Sequence, residues 1–448
     1  MILRRLNPAR SLVLSFAVVI AIGTWALHQP WAAVPGKQMR WVEALFTATS
    51  ATCVTGLTVR PPADHTVAGQ VVILSLIQVG GLGIMTFGLF FILLLGRRLS
   101  LFGRNLVVSS LVRGEWEDFW PLMRTVMAAT FTIEAIGSTL LAVGWWSEKG
   151  VLAIPWAVFH AVSAFCNAGF GLHPQSLIPW RGDPIISLTT GLLVIFGGLG
   201  FLPMSELLER LTGERRRPLS LHTRTVVLVT AVLLVLGWTV FALLEWRNAL
   251  AGLPWGERLL AIWFQGITPR TAGLASLDYG AMTPATLLFT MGLMFVGASP
   301  GSTGGGVKTT TVGVLCAMLV ARVRSRRQVS SLRRGVAPAT VAGAVAVFVL
   351  CSAVVMIGML AVTLCEHGAG GGVEARARFL VEAFEVVSAF GTVGLSTGIT
   401  PELSDASWYV LVAVMFIGRV GALTLGLALA GREPRFGPRY AEEELVVG

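Results

Sequence analysis

Long apolar runs and short polar, often Arg-rich intervals alternate along the whole chain. Ser11–Leu27, Val71–Leu95, Val226–Leu244 and Val341–Leu364 are predominantly apolar. Each is long enough for a bilayer core, which needs roughly 20 residues in helix. The alternation of a membrane strand is absent, so spanning helices are predicted. Shorter apolar stretches lie between them, and each ends at a glycine. These half-helices are predicted near Met39–Ala51, Pro155–Phe165, Trp255–Gly266 and Arg376–Phe390. They are too short to cross, so they should be re-entrant, with the following backbone lining a cavity or buried in protein.

The four glycines, Gly56, Gly169, Gly273 and Gly394, share their surroundings. An aromatic residue (Phe46, Phe159, Trp263, Phe384) lies ten positions earlier, and Leu57, Phe170, Leu274 or Leu395 follows directly. A second set, Gly80, Gly197, Gly297 and Gly418, follows at offsets of 24, 28, 24 and 24 in the next spans. Helix capping explains one such glycine. Two sets in register predict four tandem helix–half-helix–helix units around a pseudo-fourfold pore. Their boundaries are 1–100, 101–212, 213–328 and 329–448. The downstream glycines are expected to allow close helix approach or a bend.

Each half-helix would point the negative end of its dipole at the axis. The loops Cys53-Val54-Thr55-Gly56, Cys166-Asn167-Ala168-Gly169, Arg270-Thr271-Ala272-Gly273 and Gly391-Thr392-Val393-Gly394 would supply rings of carbonyls. Such rings suit a weakly hydrated monovalent cation. No Asp or Glu occupies these positions, as a divalent site would prefer.

Composition agrees. Charged residues are only 13% of the chain and hydrophobic residues 54%, against roughly 25% charged in a soluble globule. The net charge of +10 does not point to nucleic acid. The arginines cluster in inter-helical intervals without interleaved aromatics: Arg4–Arg10, Arg97–Arg124, Arg210–Arg224, Arg322–Arg334 and Arg432–Arg439. This excess marks one face, with both termini, as cytoplasmic. Arg4, Arg5 and the small residues Ala32-Ala33 have signal-peptide traits, but the first unit needs its helix, so a retained span is expected. Cys53, Cys166, Cys316, Cys351 and Cys365 have neither disulfide nor zinc spacing. His160 and Cys166 could suggest a thiol nucleophile with its base, but no partner acid accompanies them, so no enzyme is expected.

The third unit breaks the symmetry. Gly297, Pro300, Gly301, Gly304, Gly305 and Gly306 cannot form a continuous helix. With Ser302, Thr303 and Lys308 they predict a loop at mid-membrane, spanning 297–311 below the third Gly loop, that can block or open the pore. A phosphate-binding loop nearly fits Gly301–Thr309, but Val307 interrupts it and no sheet is predicted. Arg419 follows Gly418 in the fourth unit only. It is expected to face the axis and hold loop carbonyls or repel cations; a tie to Glu134 is the alternative. Arg270 is expected to turn away from the axis toward Glu43, Glu382 or Glu385.

SATCVTGLTV, SAFCNAGFGL, TPRTAGL, SAFGTVGLSTGIT, GSTGGGVKTTT and GRVGALTL resemble the membrane subunit of the Trk/Ktr/HKT superfamily of potassium transporters, most closely its Ktr branch. The resemblance covers nearly the whole chain and implies potassium at the loop carbonyls, a gating loop and no cofactor. With one Gly per loop, a shorter and less selective filter is plausible, and sodium is a candidate second ion. It also implies a homodimer in a bacterial inner membrane, surrounded by lipid, above a cytoplasmic ring of nucleotide-binding subunits. The Arg322–Arg334 interval could contact that ring.

Overall fold

A computed structural model describes residues 8–94, 119–213, 218–326, 328–332, 334–368, 372–421 and 424. Arg4 and Arg5, the 97–113 interval, Arg215–Arg217 and the tail from Arg432 onward lie outside the described residues. The helices are α1 (Pro8–His28), α2 (Trp41–Thr52), α3 (Val67–Leu94), α4 (Phe119–Lys149), α5 (Ala153–Phe165), α6 (Pro184–Leu199), α7 (Phe201–Leu211), α8 (Leu221–Glu245), α9 (Trp255–Ile267), α10 (Pro284–Phe295), α11 (Thr309–Val323), α12 (Pro338–His367), α13 (Val373–Gly391) and α14 (Asp405–Val420). A two-residue hairpin, β1 (Ser330–Ser331) with β2 (Arg334–Gly335), follows α11.

Among the described residues, four helical stretches, Arg10–His28, Arg124–Phe165, Leu221–Glu245 and Pro338–His367, are long and apolar enough to cross a membrane; α6 and α7 pass the same test only when taken together across their bend. The apolar surface is turned outward accordingly. Leu14, Ile22, Ile136, Val143, Val232, Leu243, Met356 and Ile357 are exposed, as expected where lipid rather than water is the outer solvent. The short helices α2, α5 and α9 are largely buried toward their C-terminal ends.

Each second helix starts from a side-chain cap ten residues past its loop glycine, or fourteen in the second unit. Thr66 accepts from the Gly69 amide at 3.2 Å and Asp183 from Ile186 at 3.0 Å. Thr283 accepts from Thr286 and Ser404 from Ser407, both at 3.3 Å. Such a cap satisfies an amide that the helix itself leaves free. Two of these starts are held further by the first helix of the same unit. Glu245 on α8 accepts from the Thr283 amide at 3.0 Å and Glu366 on α12 from the Ser404 amide at 2.9 Å.

The downstream glycines are where helices touch. A methyl group on Gly80, Gly197 or Gly418 would overlap the carbonyl of Thr52, Phe165 or Phe390. On Gly297 it would overlap the carbonyl of Gly305 instead. Close approach is thus the role of this set.

One expectation is corrected. Pro184–Leu207 reads as a single span, but it bends by 107° between α6 and α7. Gly200 makes the bend, with φ +85°. A side chain there would meet the Pro300 carbonyl at 2.7 Å, and the Phe201 amide donates to the Gly301 carbonyl at 3.2 Å. The helix turns aside to leave room for the 297–308 segment. In the fourth unit, α14 likewise stops at Gly421, φ +90°. The third unit is therefore not alone in interrupting its second helix.

Candidate functional site

The four loops after α2, α5, α9 and α13 close into a ring in chain order. A Cβ on Gly56 would lie 2.6 Å from the Ala168 carbonyl, and one on Gly169 would lie 3.1 Å from the Cα of both Gly273 and Gly56. One on Gly273 would overlap the Val393 carbonyl, and one on Gly394 the Thr55 carbonyl. All four glycines have φ between +73° and +98°, a region closed to most other residues.

A further pattern is shared by the loops. Val54, Asn167, Thr271 and Thr392, each two residues before the glycine, also have positive φ, from 48° to 70°. Three of these are β-branched, for which the left-handed region is a true outlier costing on the order of 1–3 kcal/mol. Two left-handed residues flanking one ordinary residue turn the backbone the same way in every loop. The sequence gives no hint of this, because the four positions share no residue type.

The strained turns are held by the serines six residues before the glycines. Ser50 Oγ accepts from the Gly56 amide and Ser388 Oγ from the Gly394 amide, both at 3.0 Å. Ser163 donates to the Phe170 carbonyl at 2.7 Å. The third unit has Ile267 at that position, and Thr268 takes over by donating to the Leu274 carbonyl at 2.5 Å. Glu385 adds an outer anchor, accepting from the Thr397 amide at 3.0 Å, and His160 Nε2 accepts from the Leu172 amide at 3.3 Å. His160 Nδ1 lies 2.8 Å from the Trp156 carbonyl, so His160 and Cys166 do not form a base–nucleophile pair.

Directly against this ring lies the segment between α10 and α11. Helix α10 ends at Phe295 and α11 begins at Thr309. A Cβ on Gly304 would overlap Thr271 Oγ1, and the Gly305 amide donates to Thr392 Oγ1 at 3.1 Å. Thr303 Oγ1 lies 3.1 Å from the Asn167 side-chain amide and donates to the Phe165 carbonyl at 3.1 Å. The left-handed positions of the second, third and fourth loops thus all touch the segment. It was expected under the third loop; it reaches three of the four.

Gly301 has φ +70° and Gly306 +66°, so both use glycine's freedom. Ser302 Oγ donates to the Ser299 carbonyl at 2.6 Å, and the Ser299 amide donates to the Gly198 carbonyl at 3.1 Å. Lys308 Nζ donates to the Gly304 carbonyl at 2.6 Å. Arg419, from α14, donates through Nη1 to the Thr303 carbonyl and through Nη2 to the Gly80 carbonyl at 2.5 Å. It joins the segment to α3 of the first unit. The alternative tie to Glu134 does not form: Glu134 accepts from Gln78 at 3.2 Å.

Arg270 departs from its expectation. It is buried and turned to α8, donating to Thr230 Oγ1 at 3.4 Å, with no carboxylate partner among the described residues. The three candidates are engaged elsewhere: Glu43 with Arg40 and Arg60, Glu382 with His367, and Glu385 with Ser396, Thr397 and Thr400.

These helices define an all-α polytopic membrane protein. The chain belongs to the TrkH family, described as cation transport protein, whose pattern matches residues 8–434. It is 37% identical to the Ktr system potassium uptake protein B of Bacillus subtilis, over 99% of this chain and 97% of the relative. It is 35% identical to the potassium/sodium uptake protein NtpJ of Enterococcus hirae, over 99% and 98%. The crystal structure of the potassium transporter TrkH from Vibrio parahaemolyticus is similar in fold, with a TM-score of 0.67, 19% identity, and 93% and 83% of the two chains covered. Family members transport ions, and the chain is a transporter rather than an enzyme.

Proposed function

We propose that the chain takes up potassium through the ring of four Gly loops, and that the 297–308 segment gates it. The carrying observation is the closed ring itself, with left-handed backbone at the same two positions in all four loops. Such backbone turns carbonyls toward an axis, where they replace the water around a potassium ion. On this reading, the ion ligands come from Cys53–Gly56, Cys166–Gly169, Thr271–Gly273 and Thr392–Gly394. The names of the relatives support potassium, and that of NtpJ supports sodium as a second ion. Uptake would be driven by the membrane potential, worth ~2.3 kcal/mol per charge per 100 mV.

The gate works by hydrogen-bond exchange. Arg419 and Lys308 hold adjacent carbonyls of the segment, Thr303 and Gly304. A charge at membrane depth costs ~2.5–3.5 kcal/mol unless it is satisfied, so both cations favour the closed segment. Opening needs new acceptors or water for them. A cytoplasmic ring of nucleotide-binding subunits, docked on a homodimer in the inner membrane with both termini cytoplasmic, would supply the bias through α11 and the Arg322–Arg334 interval. The four units 1–100, 101–212, 213–328 and 329–448 then each contribute one side of the pore.

Rubidium and sodium uptake into proteoliposomes tests this. Selective rubidium flux, lost in Gly394→Ser, is the expected result. Absence of cation flux from the wild-type protein would sink the reading.

A further inference from the structure

Behind the second Gly loop lies a carboxyl group that the pore itself does not use. Glu134, on α4, is 5% exposed. Its two oxygens accept from Gln78 Nε2 on α3 at 3.2 and 3.3 Å. The Cys166 thiol, inside the second loop, lies 3.9 Å from Glu134 Oε1 and 3.7 Å from Gln78 Oε1. Among the described residues no basic side chain lies within ion-pair distance of Glu134. A carboxyl group at membrane depth without a cation is expensive and marks a candidate functional group.

The packing leaves the cluster little slack. A Cβ on Gly81, three residues past Gln78, would sit 2.6 Å from Cys166 Sγ. Gln78 is also two residues from Gly80, whose carbonyl takes Arg419. The cluster therefore touches the Gly ring on one side and the anchor of the 297–308 segment on the other. The first unit provides an internal comparison: Cys53 occupies the same place in its loop and is equally buried, but no carboxylate is bonded to it among the described residues.

We propose that Glu134 is a positioning residue for the second Gly loop, and that gain or loss of its proton alters potassium-over-sodium discrimination. The inference rests on the pore reading above. Ionised, the carboxylate accepts from both Gln78 and the Cys166 thiol and places a negative charge beside the cation ring. Protonated, it loses that charge, and one oxygen becomes a donor that must turn toward Gln78 Oε1. The loop then loses an acceptor for its thiol. The groups facing Glu134 are Cys166 from the loop and Gln78 from α3. The adjoining helix α6 has no titratable side chain and presents Leu193 to α4 at Gly137. Arg419 lies beyond them, on the Gly80 carbonyl.

The test is rubidium and sodium flux in proteoliposomes between about pH 5.5 and about pH 8, a window that spans buried carboxyl groups. In the wild type the rubidium-over-sodium ratio should rise with pH. Glu134→Gln should remove that dependence and lower the ratio about fivefold at the upper end, the size expected of a coupling through one packed contact. Cys166→Ser should keep the pH dependence, because the proton belongs to Glu134. Gln78→Leu should lower the ratio with Glu134 still present, and it decides the matter if Glu134→Gln is not recovered folded. An unchanged ratio and pH profile in Glu134→Gln, or a pH profile that disappears with Cys166 instead, overturns the proposal and leaves the pore reading intact. Wild-type protein without cation flux overturns both.

Discussion

The ring of Gly loops and the layer directly beneath it are built on opposite plans. In the ring, each loop is fastened by its own unit: Ser50 to Gly56, Ser163 to Phe170, Thr268 to Leu274, Ser388 to Gly394. Beneath it, one segment from the third unit bonds to residues of the second and fourth, and Arg419 of the fourth links it to the first. Thr303 meets Phe165, Gly305 meets Thr392, and Arg419 joins Thr303 to Gly80. Local fastening makes each loop rigid by itself. Contacts across units can be exchanged as a set, which suits a two-state element.

The largest effect should come from the ring. Gly394→Ala places a methyl group on the Thr55 carbonyl at φ +89°, and rubidium flux should be abolished. Gly252 has a similar φ of +78° but open space around it. Gly252→Ala should therefore cost only the backbone strain, about 1 kcal/mol, with flux retained. If both variants behave alike, crowding is not what the ring glycines serve.

Next comes the layer beneath. Arg419→Ala removes two charge-assisted hydrogen bonds, each worth about 1.5–3 kcal/mol. Flux through the wild-type ring should rise roughly tenfold or more, since each 1.4 kcal/mol is a factor of ten. Arg419→Lys, a point charge that lacks the guanidinium fork, should fall between. Unchanged flux in both would remove Arg419 from the gate.

Ser388→Ala should act more mildly, leaving the buried Gly394 amide unbonded at a cost of about 1–3 kcal/mol. Thermal unfolding should register it. Ser163→Ala frees only a carbonyl, so the loss should be smaller. Equal losses would show that the serines fill space rather than fasten the turn.

The smallest effect lies outside the spans. His65, in the loop before α3, is buried with Nδ1 unbonded, and burial holds it below the ordinary imidazole value. Between that lowered value and the ordinary one, the unfolded chain binds more protons than the folded one, so stability falls as pH drops through the window. His65→Gln should flatten the profile of melting temperature against pH in that range, without altering flux.

Much of this architecture is legible in the sequence, because glycine is the only residue that fits both the ring and the helix contacts. Gly56 and its counterparts announce the loops, and Gly80, Gly197 and Gly418 announce where helices touch. The break near Pro300 is equally plain. The left-handed turns at Val54, Asn167, Thr271 and Thr392 are not, since tertiary packing imposes them on residues that resist them. The bend at Gly200 hides in a continuous apolar run; Gly197, Gly198, Gly200 and Pro203 together were its only signal. Arg270 misleads for another reason. Pairing by charge alone ignores that Glu43, Glu382 and Glu385 each have nearer partners.

The bond from Arg419 to Gly80 spans 339 residues of chain, and the ring's last side, Gly394 against Thr55, spans the same number. Both are contributed by the fourth unit. A chain of the first three units alone would have neither the closed ring nor the arginine that holds the 297–308 segment. If the ring is the conduit and the segment its gate, as proposed, one unit completes both, and no shorter chain would conduct without the means to shut.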